Sequence, residues 1–84
     1  MKGVYMPKAK LTRLVEGRER YYTISVNPTL IGQWELLKVF GASRNKKPTG
    51  TVREFYATEG DALSAYTNTL KSKKLRGYIP LIFH

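Results

Sequence analysis

Gly32-Gln33-Trp34-Glu35-Leu36-Leu37-Lys38-Val39-Phe40-Gly41 is the stretch on which the fold turns. It holds the single Trp of the chain, and residues 33–40 read as a strand. Trp34 and Leu36 share one face, which continues through Lys38 to Phe40, while Leu37 and Val39 take the other. Apolar residues on both faces predict a central strand covered on both sides near its end, or a bulge around Leu36-Leu37. The strand then runs into a basic loop containing Arg44-Asn45-Lys46-Lys47. A rigid strand that carries an aromatic ring and positive charge to one end of a sheet suits a grip on nucleic acid.

Working outward toward the N-terminus, residues 20–27 form the clearest strand, with Tyr22, Ile24 and Val26 on one face and Tyr21, Thr23 and Ser25 on the other. Residues 8–16 alternate less cleanly, imperfectly at Leu14. Glu16-Gly17-Arg18-Glu19 is a turn signal between the two, so they are expected to pair as a hairpin. Residues 1–7 read as a flexible arm ended by Pro7, and residues 8–84 as a single domain. Between the second and third strands, Asn27-Pro28 starts a loop that Gly32 ends, and Leu30 and Ile31 are expected to fold back onto the sheet edge.

Toward the C-terminus, residues 41–50 are a polar loop and residues 51–57 a fourth strand, with Val52, Glu54 and Tyr56 opposed to Arg53 and Phe55. Thr58-Glu59-Gly60-Asp61 resembles a capping box with Asp at its fourth position. Ala62, Leu63, Ala65, Tyr66, Thr69 and Leu70 then recur at helical spacing. The basic run of residues 71–76 falls in the last turn, and Gly77 is placed to stop the helix. In the apolar tail, Pro80 confines any further strand to an edge. The fold class is therefore α+β: an antiparallel sheet of about four to five strands with one helix packed across it.

Charge says more than size. The chain has 84 residues, 15 Lys and Arg against 6 Asp and Glu, and a net charge of +9. Such a balance favours polyanionic partners. The basic residues cluster: Lys2, Lys8 and Lys10; Arg44, Lys46, Lys47 and Arg53; Lys71, Lys73, Lys74 and Arg76. None of these three groups contains an acid, whereas Glu16 and Glu19 share a turn. The absence of Cys excludes a disulfide framework and a thiol nucleophile, and fits a cytoplasmic home. No apolar run is long enough to span a membrane, and the N-terminus lacks the pattern of a signal peptide.

No catalytic constellation, phosphate-cradling glycine motif or metal-ligand set is visible, so no enzyme, cofactor or metal is expected. The one His, His84, reads as a solvated tail. Trp34 and Tyr66 read as core. Phe40 either closes the core or offers its ring at the sheet end, and Tyr21 is a candidate stacking platform. The cations of residues 71–76 either complement the helix dipole or hold phosphates, while the 44–47 loop has no such local use for its charge.

The order Tyr22-Thr23-Ile24, Pro28-Thr29-Leu30-Ile31-Gly32-Gln33-Trp34-Glu35-Leu36, Phe40-Gly41, Phe55, Thr58, Asp61-Ala62, Lys73 and Arg76-Gly77-Tyr78 resembles the WGR domain, named for a Trp-Gly-Arg motif. That family occurs in DNA-damage-dependent poly(ADP-ribose) polymerases and in small bacterial proteins, and the likeness, which covers about residues 11–78, is greatest to the bacterial branch. It implies an antiparallel sheet crossed by one helix, and a role in gripping a DNA end. It also implies that Phe40 stands for the motif Trp that stacks on a terminal sugar, and Lys73 for the assisting Lys at the helix end. The motif here is Phe40-Gly41-Ala42, so Ala42 replaces the motif Arg, and Arg44 stands where the family has a later Gly.

The residues thus point to a small, basic, non-enzymatic nucleic-acid-binding domain, with DNA as the expected partner. Its candidate binding residues are Phe40, Arg44, Lys46, Lys47, Arg53, Lys71, Lys73, Lys74 and Arg76. The alternative is a protein-interaction module, an adaptor or inhibitor, docking on an acidic partner protein.

Overall fold

Two residues set the first hairpin. Glu16 and Gly17 both have positive φ, 53° and 79°, which is the backbone of a two-residue type I′ turn. Its twist matches that of the flanking strands, so pairing starts at once with Val15 opposite Arg18 and runs to Lys8 opposite Ser25. The turn is therefore tighter than the four residues expected, and Arg18 and Glu19 belong to a strand.

The computed structural model describes residues 7–81. Its elements are β1 (Lys8–Val15), β2 (Arg18–Pro28), β3 (Trp34–Ala42), β4 (Gly50–Tyr56), α1 (Glu59–Leu75) and β5 (Ile79–Pro80). The strands form one antiparallel sheet in the order β4-β3-β2-β1-β5, and α1 packs across one face of it. Leu11, Tyr22, Ile24, Val26, Leu36 and Ala62 are buried between the two layers. Trp34, Phe40, Tyr56, Leu63, Tyr66, Leu70 and Tyr78 pack around them, half-buried. Alternate residues of β1, β2 and β3 supply this core, as the alternation predicts, except where Arg13 and Lys38 take an inward position.

Two expectations change. Pairing of β2 with β3 is unbroken from Arg20 opposite Ala42 to Pro28 opposite Trp34, so there is no bulge at Leu36-Leu37. Nor does a second layer cover Leu37 and Val39 among the described residues. Both lie on the open face, half-buried by cross-strand neighbours such as Ser25, Thr23, Arg53 and Thr51. Leu30 and Ile31 do not fold back. They are 106% and 79% exposed, at the tip of a turn closed beneath them. The Thr29 amide donates to the Gln33 carbonyl at 2.9 Å, and the Gln33 amide donates to Thr29 Oγ1 at 3.0 Å. That closure leaves too little chain for the tip to reach the sheet.

The helix ends are built as their residues predict. Thr58 caps the N-terminus, its Oγ1 accepting from the Asp61 amide at 3.1 Å. At the other end Gly77 takes φ 96°, its amide donating to the Lys74 carbonyl and the Tyr78 amide to the Lys73 carbonyl, each at 3.0 Å. This Schellman pattern reverses the chain and lays β5 against β1. There Ile79 faces Thr12 and Pro80 faces Leu11, on the sheet edge where a proline is tolerated. At the N-terminal side Pro7 is buried and its carbonyl accepts from the Val26 amide at 3.1 Å, so it continues the sheet. The rest of the expected arm, residues 1–6, and the tail His84 lie outside the described residues.

Candidate functional site

β3 carries its helix-side face from Trp34 to Phe40, and at the Phe40 end that face meets the C-terminal turn of α1. Phe40 stacks on Tyr22, its partner across the ladder, with ring centroids 6.0 Å apart and planes at 14°. On its other side the ring lies across Gly50, where an added Cβ would come within 2.5 Å of it. Gly50 is thus a glycine because Phe40 occupies the space its side chain would need. Tyr78, delivered by the Schellman turn, meets Tyr22 edge-on at 6.1 Å.

Lys73 completes the group. Its Nζ lies 4.4 Å from the Tyr22 ring centre and 5.9 Å from that of Tyr78. The faces of the rings hold the ammonium by cation–π attraction. Tyr22, Lys38, Phe40, Val52, Lys73 and Tyr78 line a cleft of about 280 Å³. Arg13 approaches from the edge, its guanidinium 5.9 Å from the Tyr78 ring centre.

The two lysines of the cleft differ in their compensation. Lys38 Nζ is 3.2 Å from Glu54 Oε2, and Glu54 Oε1 in turn accepts from the Tyr56 hydroxyl at 3.1 Å. Lys73 has no ion-pair partner among the described residues. Desolvation, then the charges of Arg76 and Lys38, hold its amine below the ordinary lysine value. The Tyr22 hydroxyl is pushed up to about 12 by burial, with Glu54 and Tyr78 adding to the effect, so it remains a neutral phenol. The cleft therefore contains a cation that an entering anion would relieve of repulsion while the rings stay uncharged.

The cleft opens at a cationic end of the molecule. The loop joining β3 to β4 begins there and is tied down at its base. The Ser43 amide donates to the Glu19 carbonyl at 3.0 Å and the Thr49 amide to the Phe40 carbonyl at 2.9 Å. Arg44 borders a hollow of about 410 Å³ shared with Gly17, Arg18 and Glu19 of the hairpin. Lys46 and Lys47 are exposed along the same loop, and Arg76 is the exposed C-cap of α1.

Of the residues expected at the site, Phe40 and Lys73 meet in the cleft, with Arg76 beside them and Arg44, Lys46 and Lys47 at the same end of the sheet. Arg53 is not brought there. It lies on the open face, its Nε 3.7 Å from Glu35 Oε2. Lys71 and Lys74 are exposed on the helix, off the stripe that packs on the sheet. Tyr21 is half-buried on the open face, with Lys10 Nζ 5.6 Å from its ring centre.

Sequence reasoning missed Tyr22, Lys38, Tyr78 and Arg13. One signal was present: Lys38 and Arg13 interrupt the inward-facing registers of β3 and β1, where an apolar residue would otherwise stand. Among the described residues no group of His, Asp and Glu is placed to hold a metal, and no helix is long and apolar enough to cross a membrane. Comparison of the chain with family models, curated proteins and solved structures finds no match.

Proposed function

We propose that the chain is a non-enzymatic nucleic-acid-binding domain, DNA being its first partner, of the kind the WGR likeness implies. The supporting observation is Lys73: a partly desolvated ammonium with no carboxylate partner among the described residues, set between Tyr22 and Tyr78 beside Phe40. Phosphate is the anion that best accounts for it. Arg76 beside the cleft, and Arg44, Lys46 and Lys47 on the loop at the same end of the sheet, add flexible or forked donors suited to a phosphate backbone. The contacts are with backbone and sugar, so affinity depends on salt and little on sequence.

Fluorescence anisotropy with linear duplex, closed circular duplex and single-stranded DNA, and with RNA, at two salt concentrations tests this. Binding that weakens steeply with salt, and drops for every sequence in a Lys46→Glu, Lys47→Glu double variant, is the expected result. No binding at low salt sinks the reading. Preference for linear over circular duplex, lost in Phe40→Ala, assigns the ring to a DNA end; equal loss on both substrates removes it from that role.

A further inference from the structure

Among the described residues, the outer edge of β1 is only partly covered. β5 is two residues long and pairs with Leu11 and Thr12 alone. The Leu81 amide donates to the Lys10 carbonyl at 2.8 Å, which fixes which backbone groups of β1 point outward. By strand alternation the outward set is that of Lys10, Thr12 and Leu14. Continuing the β5 register would place Gly77 opposite Leu14, but there the chain is already leaving the helix and its amide is committed to the Lys74 carbonyl. Among the described residues, the Leu14 amide and carbonyl therefore form an uncovered strand edge.

A groove of about 560 Å³ follows this edge, lined by Thr12, Arg13, Leu14, Glu19, Arg76 and Ile79, together with Gly77. Leu14 and Ile79 are 72% and 67% exposed. Arg13 and Arg76 have no carboxylate partner among the described residues. Two apolar side chains, two guanidiniums against the one carboxylate of Glu19, and backbone groups unpaired among the described residues, all along one edge, match an extended polypeptide better than a nucleic acid, whose backbone offers nothing to Leu14 or Ile79. A second copy is a poor occupant, since each chain carries a net charge of +9.

We propose that this groove docks an extended acidic segment of a partner protein, added as a strand beside Arg13, Leu14 and Val15. Its backbone pairs with Leu14, its carboxylates reach Arg13 and Arg76, and an apolar side chain sits on Leu14 and Ile79. Leu14 and Ile79 lie outside the Lys73 cleft, while Arg13 and Arg76 border both; the proposal stands whether or not the domain binds DNA.

The test is an amide chemical-shift titration of the full chain with three probes: a capped peptide of alternating Glu and Val, an oligo-glutamate of equal length, and a DNA duplex. The alternating peptide is expected to shift Leu14, Val15, Arg76 and Ile79, and to bind more tightly than oligo-glutamate. Leu14→Pro removes the outward N–H, which β2 does not use, and should weaken the peptide about three- to tenfold, the loss of one backbone hydrogen bond. Arg76→Ala should weaken it about two- to fivefold. Should Leu14→Pro lower the melting temperature, Leu14→Asp takes its place, removing the apolar contact and repelling the peptide's acids. No shifts at low salt overturn the proposal. So do equal binding of oligo-glutamate, shifts centred on Lys73 or the 44–47 loop, or DNA producing the same Leu14 and Ile79 shifts.

Discussion

The two ends of β3 place an aromatic residue on the same face of the same strand, and they are finished differently. At the first end Trp34 lies opposite Tyr56, whose hydroxyl is held by Glu54, and the capped start of α1 brings Glu59 and Asp61 close by. Acids there serve the helix dipole or the hydrogen-bond network. At the other end Phe40 lies opposite Tyr22, and the end of α1 brings Lys73, a cation with no ion-pair partner among the described residues. Burial alone does not separate the ends, since Trp34 and Phe40 are both half-buried against the core. What separates them is whether each charge has been given a partner. Where it has, the aromatic residue reads as structure; where it has not, the gap reads as a place for a ligand.

Trp34→Ala should break the comparison most visibly in stability. Removing a half-buried Trp is expected to cost about 2–4 kcal/mol, somewhat less than for a fully buried one. Urea unfolding measures this, and the folded fraction should keep its affinity for DNA. A loss of affinity at a temperature where the variant is fully folded would show that the Trp34 end also belongs to the site.

Lys73→Met sharpens the other side. It keeps the side chain's length and its contact with the rings but removes the charge, and DNA affinity should fall about tenfold, or about 1.4 kcal/mol. Thermal stability at neutral pH should not fall with it. The pH dependence has a definite sign. The Lys73 amine titrates below its ordinary value of 10.5, so its cost to folding is present at neutral pH. That cost is relieved as pH rises through the lowered value toward 10.5, because the unfolded chain then binds more protons. Across this window wild type should gain stability relative to Lys73→Met. Tyr22 acts oppositely, since its contribution is lost as pH rises from 10.0 through about 12.

Gly50→Ala is expected to cost less stability than Trp34→Ala. The new methyl displaces the Phe40 ring from its bed, with a cost of about 1–2 kcal/mol typical of overpacking. DNA affinity should change in the direction Phe40→Ala changes it. An unchanged melting temperature would mean that the ring swings aside freely and is not held by Gly50.

Much of this was legible in the residues. Alternation exposed Tyr22, Ile24 and Val26 as one buried face, and the Thr58 and Gly77 signals bounded the helix, because those features act locally. Pro80 announced an edge for the same reason. The assembly of the cleft was not legible. Tyr22, Lys38, Lys73 and Tyr78 come from β2, β3, α1 and the turn after it, and only the packing of α1 across the sheet brings them together. Leu30 and Ile31 are apolar yet exposed because the Thr29–Gln33 closure that holds them out depends on one hydroxyl and two amides, which hydrophobicity does not reveal. Arg53 misled because its register puts it on the face away from the cleft.

The smallest effect concerns the hairpin that supports the cationic end. Glu16 adopts φ 53°, a left-handed backbone that its side chain disfavours, whereas Gly17 accepts φ 79° at no steric cost. Glu16→Asn or Glu16→Gly should therefore stabilise the fold by about 0.5–1 kcal/mol, Asn more than Gly because it restricts the unfolded chain. Removing Glu16 also takes an acid from the turn next to Gly17 and Arg18, which border the Arg44 hollow, so DNA affinity should rise slightly, and more at low salt than at high. Such a rise would place the hairpin tip within the field of the bound polyanion. A stabilised variant with unchanged affinity at both salt concentrations would confine the ligand to the Phe40 and Lys73 side of the sheet end.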